Sequence, residues 1–128
     1  METNIRIVQA DAELAKQYES EIGDLVHATG PVSYDYHFPN RVIFDEIVNR
    51  SWHAEGTLFA ADATRLALDG EQLLGIEIGF PGPEFSKRKA ALTPTWMAMM
   101  NEGVASQEDV KMVLERSTNA HWLNPVVA

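Results

Sequence analysis

The chain contains no cysteine, which excludes a disulfide framework, a thiolate nucleophile and a Cys-ligated zinc site. Positive charge is scarce: ten Lys and Arg stand against nineteen Asp and Glu, a net charge of -9 over 128 residues. A surface this acidic repels phosphate backbones and anionic lipid, so neither nucleic acid nor a membrane is an expected partner. Long apolar runs are missing too. The longest, Trp96-Met97-Ala98-Met99-Met100, is far short of a spanning helix. The polar opening Met1-Glu2-Thr3-Asn4 lacks the basic-then-apolar pattern of a signal peptide, and a cytoplasmic location is the expectation. Two catalytic signatures are absent as well. His27, His37, His53 and His121 show no metal-binding spacing on one helix, and no Gly-x-Ser-x-Gly elbow frames a serine nucleophile.

What is present is ordinary globular material, 45% hydrophobic and 23% charged, without repeats or low-complexity tracts. The length predicts a single domain over 1–128 with room for a sizeable core. The acidity is uneven. It is concentrated before residue 87, where the basic cluster Lys87-Arg88-Lys89 begins a nearly neutral last third.

Alternation in Ile5-Arg6-Ile7-Val8 predicts a strand at 4–9. Asp11 is placed to cap a helix running to Ala28, with Leu14, Tyr18, Ile22 and Leu25/Val26 on one stripe and Gly23 marking a bend or close packing. Gly30-Pro31 stops it, and the aromatic-rich stretch from Val32 to Asn40 reads as irregular. A second helix is predicted from Arg41 to Trp52, with Phe44, Ile47 and Val48 inward. Asp69-Gly70 between two apolar runs predicts a tight hairpin. In its second arm Leu74, Ile76, Ile78 and Phe80 share one face, and Gly75, Glu77 and Gly79 the other. Glycines there suggest close approach of a ligand or another backbone. Helices at 86–101 and 106–119 follow, the second opened by a Ser106/Asp109 capping box, with Asn124-Pro125 at its exit. The fold class is mixed α/β (α+β), ordered β-α-α-β-β-α-α with antiparallel strands.

This order, with the segment Gly30-Pro31-Val32-Ser33-Tyr34-Asp35-Tyr36-His37-Phe38, the hairpin from Leu66 to Gly75 and the pair Gly79-Phe80, resembles the N-terminal, acceptor-side half of the GNAT superfamily of N-acetyltransferases. The resemblance implies a GNAT-like fold with an incomplete sheet. It also implies acetyl transfer from acetyl-CoA to an amine-bearing small molecule or peptide, by direct attack of the amine on the thioester. The departure is the family's (Gln/Arg)-x-x-Gly-x-(Gly/Ala) loop, which binds the pyrophosphate of acetyl-CoA and has no counterpart here. The nearest glycine-rich stretch, Gly79-Phe80-Pro81-Gly82-Pro83, loses two N–H donors to proline. No cofactor-binding residue is therefore assigned, and the chain alone is expected to be inactive. In the family a further strand pairs alongside 72–80. The expectation is an edge covered by a C-terminal fragment, a second copy of the chain or a rearranged terminus. The alternative is a non-catalytic GNAT-like dimerisation or regulatory module.

Candidate substrate-binding residues are Tyr34, Asp35, Tyr36 and Glu77, since carboxylates and aromatic faces suit an amine. The rings of Tyr34 and Tyr36 also read as core fillers with Asp35 capping a turn, and Glu77 as an ordinary solvent-facing strand residue. Lys87-Arg88-Lys89 reads either as reaching a CoA phosphate or as a solvated helix start. Trp96, Met97, Met99 and Met100 read as core or as a partner face. No catalytic residue and no metal ligand is assigned.

Overall fold

In the computed structural model, which describes residues 4–118, the alternating segments pair as expected. Strands Ile5–Gln9 (β1), Thr64–Asp69 (β2) and Gln72–Ile78 (β3) form an antiparallel sheet in the order β1-β2-β3. Helices Ala12–Ala28 (α1), Pro31–His37 (α2) and Arg41–His53 (α3) lie between β1 and β2 in sequence. Phe85–Ala90 (α4), Thr93–Asn101 (α5) and Gln107–Thr118 (α6) follow β3. The architecture is mixed α+β with an open sheet. No helix among the described residues is long and apolar enough to cross a membrane.

Side-chain caps fix the helix starts. Asp11 Oδ1 accepts from the Leu14 N–H at 2.8 Å, and Asn40 does the same for Ile43 at 2.9 Å. Ser106 and Asp109 make the reciprocal box, each backbone N–H reaching the other's side chain at 3.0 Å. Such caps are each worth about 1 kcal/mol.

One sheet face carries the core. Leu66, Leu68 and Leu73 are buried against the stripe Ala15, Tyr18, Ile22 and Val26 of α1 and against Phe44, Ile47, Val48 and Trp52 of α3. Full burial of each large side chain contributes about 1.5–3 kcal/mol. The Trp52 indole N–H donates to the Ala15 carbonyl at 2.9 Å, so its polar edge is satisfied in the core. Gly23 marks close packing, since a Cβ there would sit 2.9 Å from Asp45 Oδ1 on α3. The Tyr18 hydroxyl donates to the Glu71 carbonyl at 2.6 Å and ties α1 to the hairpin tip. Trp96 and Met99 of α5 join the core with Val110 and Val113 of α6, whereas Met97 is exposed.

Four expectations need correction. The stretch from Val32 to Asn40 is not irregular: Pro31 at the first position starts α2, and the Tyr34 N–H donates to the Gly30 carbonyl at 2.9 Å. The helix over 86–101 is two helices, because Pro94 cannot donate to a carbonyl four residues back and instead opens α5. The hairpin tip is Gly70-Glu71, closed by the Asp69–Gln72 pair, with positive φ (60°) at Gly70 alone. A bulge after Leu73 breaks the alternation. Leu73 faces the core, Leu74 is turned out to solvent, and inward facing resumes at Ile76 and Ile78. The expected exit at Asn124-Pro125 lies outside the described residues.

Candidate functional site

Consecutive residues on a helix point about 100° apart, and this decides the fate of the aromatic-acid segment. Because 34–36 lie within α2, their side chains diverge. Tyr34 turns inward and meets Phe44 at 5.0 Å and Phe59 at 6.5 Å between ring centroids. Asp35 turns back to α1, where its Oδ1 lies 2.8 Å from His27 Nε2. Tyr36 faces out, with the Arg116 guanidinium 4.8 Å over its ring. Glu77 lies on the sheet face opposite the helices and pairs with Arg65. Of the four expected substrate contacts, only Tyr34 lines a cavity on the helix side. Asp35, Tyr36 and Glu77 do not converge on it.

That cavity, about 270 Å³, lies between α1, α2, the segment before β2, β3 and α4. Its walls are Tyr34, Phe59, Ile76, Ile78, Phe80 and Phe85. The polar groups it offers are the Tyr34 phenol and the Thr29 hydroxyl. Burial pushes the Tyr34 phenol above its usual value, opposed by its hydrogen bond with Thr29, so it is a neutral hydroxyl at physiological pH. No carboxylate lines the cavity. A ligand here is held by apolar and aromatic contact, a cationic one through ring faces.

The cavity adjoins the free edge of the sheet. The Gly79 N–H donates to the Ala63 carbonyl at 2.9 Å, extending the ladder with β2. By the alternation of an antiparallel pair, Ile76 and Ile78 then aim their backbone N–H and C=O away from β2, while their side chains line the cavity. Gly75 and Gly79 do not mark a close approach within the chain, for a Cβ at either would meet nothing within 4 Å.

The proline-interrupted segment from Gly79 to Glu84 has few N–H groups to offer a pyrophosphate. In the segment from Gly79, the Gly79 N–H is spent on Ala63, Pro81 and Pro83 have none, and the Glu84 N–H bonds the Pro81 carbonyl at 2.9 Å. The basic cluster divides. Arg88 bonds Asp62 at 3.0 Å, Glu84 at 3.2 Å and the Thr57 carbonyl at 3.1 Å, and lies 5.0 Å over the Phe80 ring. It is a structural clasp between α4 and the segment preceding β2. Lys87 is exposed, and Lys89 lines a second cavity.

The histidines lie apart: His27 meets Asp35, His53 meets Glu19 at 2.7 Å, and His37 is buried on α2. His121 lies outside the described residues. No cluster able to hold a metal ion occurs among the described residues. Sequence reading missed Leu58 and Phe59, which wall the cavity. The apolar run Leu58-Phe59-Ala60-Ala61 between the second helix and the hairpin was the signal for them.

No family model matches the chain, and neither the curated proteins nor the solved structures contain a match to it.

Proposed function

We propose that this chain is the acceptor-side wall of a GNAT-like N-acetyltransferase, with the apolar, aromatic body of an amine acceptor seated against Tyr34, Phe59 and Phe80. The observation that carries the reading is the coincidence of cavity and sheet edge. Ile76 and Ile78 line the first with their side chains and aim their backbone groups away from β2 at the second, where no strand pairs with them among the described residues. A strand added there, from a C-terminal fragment or a second copy, would border the cavity and bring the cofactor-binding part of a transferase beside the acceptor. The glycine-rich segment from Gly79 does not fit the acetyl-CoA pyrophosphate, and no step of transfer is assigned to the described residues.

The first test is calorimetry with acetyl-CoA on the isolated chain and on the protein as its source expresses it, with intact masses of both. The expected result is no binding to the isolated chain. Binding should appear with a longer or co-purifying species whose amide signals at Ile76 and Ile78 are protected from exchange. A source protein with the mass of these 128 residues and no affinity for acetyl-CoA overturns the reading. It would favour a non-catalytic assembly module instead. That second reading has its own support in β1, where Ile5 and Ile7 are 51% and 61% exposed on the uncovered sheet face.

A further inference from the structure

Most half-buried cations in this chain have partners. Arg50 bonds Glu46 and Glu102, Arg88 bonds Asp62 and Glu84, and Arg116 donates to the Tyr36 carbonyl. Lys89 is different. It is half-buried on α4, and among the described residues no carboxylate lies within ion-pair distance of its ammonium. Its burial lowers the pKa of that ammonium. Removing a charged group from water without a counter-charge is costly.

The surroundings of Lys89 say what would relieve that cost. It lines a cavity of about 310 Å³ between α2, α4, α5 and α6, separate from the acceptor cavity but sharing its Tyr34–Phe59 wall. Phe38 and Trp96 stand there as a stacked pair, 6.4 Å apart at 23°. Leu92 and Val113 complete an apolar floor, and Ser86 and Thr93 also belong to the lining. Ring faces, an apolar floor and one unpaired cation match a ligand with a flat apolar body and a single negative charge. The chain as a whole is strongly acidic, so general attraction of anions does not account for such a site.

We propose that this second cavity binds an aromatic monocarboxylate, its ring against Phe38 and Trp96 and its carboxylate on the Lys89 ammonium. The site is independent of acetyl transfer and stands whether or not the reading of the first cavity does.

The experiment is a heteronuclear NMR titration of the full chain with indole-3-propionate and with its neutral analogue indole-3-propanol. The expected result is shifts at Lys89, Trp96 and Val113, with the carboxylate bound about tenfold more tightly than the alcohol. Lys89→Met keeps most of the apolar stem and should erase that preference without changing affinity for the alcohol. Lys89→Arg should restore it. Thermal melts of both variants matching the parent exclude a folding defect as the cause. Equal affinity for acid and alcohol, an unchanged preference in Lys89→Met, shifts confined to the first cavity, or no binding of either compound at millimolar concentration each overturns the proposal. In the second of these cases Lys89 merely extends its stem over an apolar rim toward water.

Discussion

The two faces of the sheet are built from the same three strands and share one ladder, yet their residues do different work. The face toward α1 and α3 carries Thr64, Leu66, Leu68 and Leu73, all buried. The opposite face carries Ile5, Ile7, Arg65, Ala67 and Glu77, and no helix among the described residues covers it. β-Branched and aliphatic residues occur on both faces, so residue type alone does not separate them. Coverage does, and coverage is a tertiary fact that alternation along one strand cannot report.

Substitutions can break or sharpen this contrast. Leu66→Ala on the covered face should have the largest effect, about 2–5 kcal/mol of lost stability in chemical denaturation, because the fully buried site cannot collapse around the missing methyls. Thr64→Val, also on the covered face, removes the hydroxyl that donates to the Ala60 carbonyl at 2.8 Å. It should cost about 1–2 kcal/mol in the same measurement. On the uncovered face Ile7→Thr should change stability by less than about 0.5 kcal/mol. If sedimentation shows a dimer, the same variant should weaken it. A loss comparable to that of Leu66→Ala would mean that the face is covered in the folded chain.

Ion pairs give the most condition-dependent differences. Hydrogen bonds from Arg50 hold the Glu102 carboxyl below its ordinary value of 4.5. A depressed folded pKa means stability that is present above the unfolded value and lost as pH falls through the folded one. The melting-temperature gap between the parent and Glu102→Gln should therefore be present at neutral pH and close below about pH 4.5. Arg65→Gln on the uncovered face should cost at most about 1 kcal/mol, and less in high salt, since both partners of its pair are exposed to solvent.

Local signals made much of the fold legible. The caps at Asp11 and Ser106, the stripe of α1 and the hairpin around Gly70 all depend on residues within a few positions of one another. The failures have physical causes. Aromatic side chains lose rotamer freedom in helices, so propensity argued against α2. Pro31 at its first position and burial of Tyr34, His37 and Phe38 outweighed that preference. The bulge near Leu74 was hidden because Leu74, Ile76, Ile78 and Phe80 keep a perfect period of two, while Leu73 competes for the same interior place and wins it. At the site, Tyr34 was found from its own segment. Asp35 and Tyr36 were grouped with it on the premise of an irregular segment, and the turn of α2 separates them. Glu77 was placed correctly on the face opposite Ile76 and Ile78, but its partner Arg65 lies on the neighbouring strand. The role of Lys89 was not readable, since it depends on α5 and α6 packing over α4's neighbourhood and supplying no carboxylate.

The wall made by Tyr34, Leu58 and Phe59 fronts both cavities. A wall side chain pushed out of one cavity finds open space in the other. Two ligands that each push this wall toward the other cavity would compete for the same space without touching one another. Thermodynamic linkage makes the antagonism mutual: the factor by which the first weakens the second equals the factor by which the second weakens the first.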